Sequence, residues 1–320
     1  MPQAVRELVI GTRGSKLAIW QAKWVLARLQ HLEPGLAVSL KRIKTTGDKV
    51  LDTPLATIGG KGLFVKEIEE ALARGEIDLA VHSMKDVPTR LPEGLEILAV
   101  PEREDPRDVL VSRQGLPLSR LPQGARVGTS SLRRQAQLLH RRSDLTVALL
   151  RGNLDTRLRK LDAGEYDGIV LAAAGLRRLG WGDRVTEYLP FDMSLPAIGQ
   201  GALGLGGRAD DGFVRDLVVR LEHRPTRSAV MAERAVLERL EGGCQVPIAA
   251  HAVVTGERLT LIGLVADVNG RHVVRDSVEG PVQEAHRLGV QLAERLLALG
   301  GDEILKEIYK GAALGVAFEV

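Results

Sequence analysis

One cysteine in 320 residues excludes an intramolecular disulfide framework and any zinc or iron–sulfur centre built on several thiolates. A reducing compartment suits such a chain. Asparagine is nearly as scarce, with two residues, and the seven histidines lack the spacing of metal ligands, so no metal site is expected. Charge of one sign is missing too: 44 Lys and Arg against 41 Asp and Glu leave a formal net charge of +3. With acidic residues interleaved throughout, so small a surplus excludes a protein whose affinity rests on neutralising many phosphates, and no nucleic-acid partner is expected. Long apolar runs are absent. Ser194–Gly207 is uncharged, but it contains Pro196 and a run of glycines and is too short for about 30 Å of hydrocarbon, so no membrane partner is expected. The first eight residues carry acid and base and show no apolar segment followed by a small-residue cleavage site, unlike a secretory signal. A cytoplasmic location is expected.

The length points to two or three domains, and 44% hydrophobic with 27% charged residues is ordinary for a chain that buries sizeable cores. Less ordinary is the basic side, with 33 Arg to 11 Lys. Guanidinium forks pair bidentately with carboxylates and phosphates, which suits an anionic ligand. Codon bias or a heat-adapted source suits the excess as well, so position decides which arginines matter.

The first half alternates short apolar runs with amphipathic segments. Leu8-Val9-Ile10 leads through Gly-Thr-Arg-Gly-Ser15 into a helix pattern with Ala18, Ala22, Val25, Leu26 and Leu29 on one face. Val38–Ile43 and Leu79-Ala80-Val81 read as strands around a helix carrying Val65, Ile68 and Leu72, and a parallel α/β sheet follows. After the proline-bracketed Pro101–Pro106 the same grammar restarts, with strands at Val109–Val111, Ala125–Gly128, Val147–Leu150 and Gly168–Ala172. Ser194–Gly207 reads as a linker and Ala229–Leu240 as a helix. Beyond Pro247 the period becomes that of short hairpin strands, His251–Val254, Leu259–Val265 and Val273–Val278, with Thr-Gly and Asn-Gly turns, covered by a helix over about Val282–Leu299.

In open α/β sheets ligands sit at the carboxyl ends of strands, where helix N-termini attract anions. Those corners carry Thr12-Arg13-Gly14-Ser15, His82-Ser83-Met84-Lys85-Asp86, Thr129-Ser130-Ser131-Leu132-Arg133-Arg134, Arg151-Gly152-Asn153 and Arg177-Arg178. Repetition of hydroxyls and arginines at one edge implies a ligand with several carboxylates or phosphates. Asp86 either forms a salt bridge or Asx-turn, or stabilises a cation and accepts a proton. Cys244, alone in Glu241-Gly-Gly-Cys-Gln-Val-Pro247, is either a small buried hydrophobe or a thiol open to a cleft. Two motifs mislead. Gly59-Gly-Lys61-Gly lacks the Ser or Thr that a phosphate loop places after its lysine, and Gly199-Gln-Gly-Ala-Leu-Gly204 fits G-x-G-x-x-G without a helix to follow.

Taken together, Gly11–Ser15, Gly59-Gly-Lys-Gly-Leu-Phe64, Ala80-Val-His-Ser-Met-Lys-Asp-Val-Pro88, Gly128-Thr-Ser-Ser-Leu-Arg-Arg-Gln135, Leu150-Arg-Gly-Asn153 and Glu241–Pro247 resemble the porphobilinogen deaminase family in order and content. The resemblance runs from about Leu8 to Pro247. It implies an α/β fold of two lobes resembling type II periplasmic binding proteins plus a small α+β C-terminal domain: residues 1–101 with 202–220, 105–198, and 222–320. It also implies hydroxymethylbilane synthase activity, a transferase reaction of porphyrin and haem biosynthesis. Four porphobilinogen molecules are joined head to tail with loss of ammonia, and hydrolysis frees linear hydroxymethylbilane. The family's primer is a dipyrromethane cofactor held by a thioether, here to Cys244. Asp86 would be catalytic; Lys85, Ser131, Arg133, Arg134, Thr129, Asp48 and Ser83 would hold the cofactor. Arg13, Ser15, Arg151, Arg157, Arg178, Lys61, Phe64 and Gln200 would bind substrate. A monomer is implied, with its product passed to uroporphyrinogen-III synthase. One departure is Thr57, where the family commonly has a lid lysine. A non-enzymatic two-lobed anion sensor is the alternative, with Asp86 and Cys244 incidental.

Overall fold

A computed structural model describes residues 7–49, 65–241 and 246–313. They fall into two compact units, the first made of 7–49, 65–104 and 202–227, the second of 105–201, 228–241 and 246–313. In chain order the strands are β1 (Leu8–Thr12), β2 (Val38–Arg42), β3 (Leu79–Ser83), β4 (Leu95–Ala99), β5 (Asp108–Ser112), β6 (Arg126–Gly128), β7 (Thr146–Ala148), β8 (Gly168–Ala172), β9 (Glu187–Tyr188), β10 (Leu203–Arg208), β11 (Ile248–Thr255), β12 (Arg258–Ala266) and β13 (Val273–Pro281).

The first unit holds one sheet, in the order β2-β1-β3-β10-β4. β1 is apolar and nearly all buried, as an inner strand must be, and runs parallel to both neighbours, with Ile10 opposite Leu40 and Leu79. Ser15 caps the helix Lys16–Leu32 by accepting from the Ala18 amide at 3.2 Å, and Ala22, Val25 and Leu29 seal its inner face against β1 and β3. Glycine lets β10 lie close to its neighbours: a Cβ on Gly204 would stand 2.4 Å from the Met84 sulfur, and one on Gly207 2.4 Å from a Leu98 methyl.

In the second unit a sheet of the same plan, β7-β6-β8-β5-β9, packs Val109, Val111, Ile169 and Leu171 on one face and Leu110, Val127 and Val170 on the other. The parallel reading needs correction, because β10 is antiparallel to β3 and β4, and β5 is antiparallel to β8 and β9. Crossover helices impose parallel neighbours. β5 and β10 enter their sheets from chain belonging to the other unit, without such a crossover. The stretch read as a linker is therefore part strand.

A separate antiparallel sheet, β11-β12-β13, turns at Gly256 (φ 61°) and Gly270 (φ 67°). Its strands outrun the expected ones, because β11 continues back through buried Ile248-Ala249-Ala250, with Ile248 opposite Val265. The covering helix is shorter than expected, Ala285–Leu296; the chain breaks at Gly300 (φ 102°) and resumes as Asp302–Ala313. Ile304, Leu305 and Ile308 of that second helix join the core of this sheet. Two α/β lobes with a smaller α+β portion are the observed architecture.

Candidate active site

In the first unit, β1 delivers Arg13 and Ser15 and β3 delivers Ser83, Lys85 and Asp86 at the carboxyl edge of one sheet. Ser15 spends an oxygen lone pair on its cap, which leaves its O–H to donate. The Thr12 hydroxyl, fully buried, donates to the Ala18 carbonyl at 3.0 Å and ties strand to helix. Beyond β3 a single turn, Met84–Asp86, is pinned from both sides. The Met84 amide donates to the Ala202 carbonyl at 3.0 Å, and the Val87 amide to the Met84 carbonyl at 3.2 Å. Met84 is buried, whereas Lys85 and Asp86 are half-buried. Asp86 makes no hydrogen bond or ion pair with any described residue. Among the described residues, neither the salt bridge nor the Asx-turn that a strand-end aspartate commonly forms is present.

The second unit builds its edge on β6, Thr129 and the helix Leu132–Arg141. The Thr129 hydroxyl accepts from the Ser131 amide at 3.1 Å, and Ser131 caps the helix by accepting from the Arg134 amide at 3.4 Å. Arg133 and Arg134 then turn inward and are buried. Both meet Asp108, the first residue of β5, which sequence reasoning passed over. Its Oδ2 accepts from Arg133 Nη1 at 2.7 Å and from the Ser194 hydroxyl at 2.9 Å. Its Oδ1 accepts from Arg134 Nε at 3.0 Å and Nη2 at 2.8 Å, and from the Gln200 amide at 2.9 Å. Burial opposes ionisation of Asp108, but the two guanidiniums outweigh it and hold the carboxyl well below the usual range. Gln200, expected to bind substrate, thus uses its amide on Asp108 and on the Pro106 carbonyl at 2.7 Å. A charged residue directly before the apolar run Val109-Leu110-Val111 was the signal available for Asp108.

Arg151 is half-buried, and desolvation lowers its pKa. Arg157 donates from Nε to the Gly152 carbonyl at 2.8 Å, and buried Arg178 donates to the Gly201 carbonyl at 2.7 Å. Lys61, Phe64, Thr57 and Cys244 lie outside the described residues, as does the side chain of Asp48 in the short helix Thr46–Lys49.

A family model described as porphobilinogen deaminase, dipyromethane cofactor binding domain, matches residues 8–216, and the C-terminal domain of the same enzyme matches 228–298. The chain belongs to the porphobilinogen deaminase family. Among curated relatives, the porphobilinogen deaminase of Geobacter metallireducens is 59% identical over 307 residues, and that of Geobacter sulfurreducens 60% over 307; each match covers 96% of both chains. Similar solved structures include the VFT2 domain of Bordetella pertussis BvgS, with TM-score 0.40, 16% identity, 66% of this chain and 84% of that chain covered. The aliphatic sulphonate binding protein SsuA of Escherichia coli gives TM-score 0.40 and 15% identity over 74% of this chain and 71% of its own. Membership in the porphobilinogen deaminase family makes the chain a transferase with a dipyrromethane cofactor. It also sets the sensor alternative aside.

The second unit's donor set fits such a cofactor. Two buried guanidiniums share one carboxylate, so the cluster keeps a positive charge, and Nε and Nη2 of Arg133 meet no acceptor among the described residues. A group bearing carboxylates answers both.

Proposed function

We propose that hydroxymethylbilane synthesis, the stepwise joining of four porphobilinogen molecules with loss of ammonia followed by hydrolytic release of the linear product, is carried by Asp86 and the strand-end arginines. The half-buried carboxylate of Asp86, unpaired among the described residues, is the observation that supports this reading most directly. When the aminomethyl C–N bond of a substrate breaks, its electron pair leaves with ammonia and the pyrrole is left cationic. A carboxylate with no other partner among the described residues can balance that charge, and it can accept the proton that the attacked ring carbon must lose. Arg13, Arg151, Arg157 and Arg178, helped by Ser15, Lys61 and Phe64, would hold the acetate and propionate groups of substrate and growing chain, while Gln200, whose amide serves Asp108 and the Pro106 carbonyl, would act on the substrate only through that cluster. Arg133 and Arg134, with Lys85, Thr129, Ser131, Ser83 and Asp48, would hold the cofactor, and Cys244 would anchor it by a thioether. The cofactor supplies the pyrrole carbon from which the chain grows.

Three domains, 1–101 with 202–220, 105–198 and 222–320, suit the three sheets. A monomer in the cytoplasm, its product passed to uroporphyrinogen-III synthase, completes the reading; no helix among the described residues is long and apolar enough to cross a membrane. The test is an intact mass. The wild-type chain should carry the mass of two substrate molecules less two ammonia on the peptide containing Cys244, and Cys244→Ser should fold, lack that mass and be inactive. Fully active wild-type enzyme with an unmodified cysteine would overturn the anchoring role.

A further inference from the structure

We propose that Asp108 is a positioning residue for the cofactor, aiming Arg133 and Arg134 at a common point from within β5. Successive helical residues point about 100° apart, so two adjacent arginines in the first turn of Leu132–Arg141 would fan out and repel each other. Here they converge. One oxygen of Asp108 takes Arg134 through Nε and Nη2, and the other takes the tip of Arg133. Arg134 is further fixed by donating to the Val170 carbonyl at 2.9 Å, and Arg133 by donating to the Leu195 carbonyl at 2.6 Å.

The carboxylate that aims them is itself immobilised. Ser194 and Gln200 donate to opposite oxygens. The Asp108 main chain sits in the β5–β8 ladder opposite Ala172 and accepts from the Leu189 amide at 2.9 Å. Neutralisation alone does not account for the arrangement. One guanidinium would satisfy one aspartate, whereas a second, buried beside it, adds desolvation cost and an uncompensated charge. That residual charge, with Nε and Nη2 of Arg133 meeting no acceptor among the described residues, suits the carboxylates of the cofactor. The inference rests on the reading that Arg133 and Arg134 hold that group.

The experiment loads full-length chain lacking the cofactor with porphobilinogen and follows the mass increment over time, below the unfolding temperature of each variant. Asp108→Asn keeps the shape but removes the charge and should slow loading by about tenfold or more; Ser194→Ala removes one hydrogen bond to the carboxylate and should slow it by about fivefold. Loading at the wild-type rate in folded Asp108→Asn, with only a lower unfolding midpoint, would reduce Asp108 to a structural ion pair and overturn the proposal. If Asp108→Asn does not fold, Ser194→Ala decides by the same criterion. Arg134→Leu separates the two readings. If Arg134→Leu is impaired and both Asp108→Asn and Ser194→Ala load normally, the positioning role alone is lost; normal loading by Arg134→Leu removes the cofactor assignment beneath it.

Discussion

Replacing Gly270 with alanine tests how the third sheet is fastened to the helix that carries Arg133 and Arg134. The turn between β12 and β13 lies against that helix within the second unit. A Cβ on Gly270 would stand 2.1 Å from the Ala136 carbonyl oxygen and 2.7 Å from the His140 amide nitrogen. Backbone cannot move aside as a side chain does, so the turn must lift. Lifting breaks the contact between His140 Nδ1 and the Gly270 carbonyl, 2.9 Å long, worth about 1 kcal/mol. The positive φ of 67° adds about 1–2 kcal/mol of strain for a residue with a Cβ. Lost packing raises the total to roughly 3–4 kcal/mol. Gly256→Ala is the control, because its φ is 61° but a Cβ there meets nothing within 4 Å. It should lose the strain alone. Urea unfolding followed by far-ultraviolet circular dichroism measures both, and equal losses in the two variants would refute the argument that docking, not backbone strain, makes Gly270 costly.

Asp86→Asn should retain fold and cofactor mass while turnover falls by about 10²–10³, the usual cost of one positioned electrostatic group; a variant with most of its turnover would make Asp86 structural. Arg151→Leu should impair elongation far more than stability, whereas Arg120→Leu, exposed and away from the strand ends, should leave turnover near wild type. Equal loss of turnover at both positions would count against the site assignment. Burial lowers the His82 pKa from 6.5 to about 4. The folded chain thus keeps His82 neutral where the unfolded chain takes a proton, and stability should fall as pH drops from about 6.5 to about 4. His82→Gln should flatten that part of the stability–pH curve, and an unchanged slope would show that another group carries it.

Much of the fold is legible because the residues that decide it are neighbours in sequence. Leu8-Val9-Ile10 and Leu79-Ala80-Val81 announce buried strands by composition, and the Ser15 and Ser131 caps sit at the helix starts they close. β10 is not legible. Its glycines look like a linker because the reason for them lies in Met84 and Leu98, more than a hundred residues away. The antiparallel sense of β5 and β10 is hidden for the same reason, since it depends on which sheet each strand joins. At the candidate site the strand-end hydroxyls and arginines stand out by repetition at sheet edges, but Asp108 gathers donors from Arg133, Arg134, Ser194 and Gln200, as far as 92 positions along the chain. No local pattern encodes that meeting.

The place of β10 between β3 and β4 also dictates an order of assembly during synthesis. All five strands of the second unit's mixed sheet lie between Asp108 and Tyr188, so that sheet can close as soon as this stretch leaves the ribosome. The first unit begins earlier but finishes later. Until Leu203–Arg208 emerges, β4 has no hydrogen-bonded neighbour among the described strands, and β3 presents there a bare edge that could pair with another chain. A nascent chain stalled near residue 201 would therefore carry one finished sheet and one with an open slot. Aggregation of incomplete chains should start at that slot, and a free peptide of the β10 sequence is the natural competitor for it.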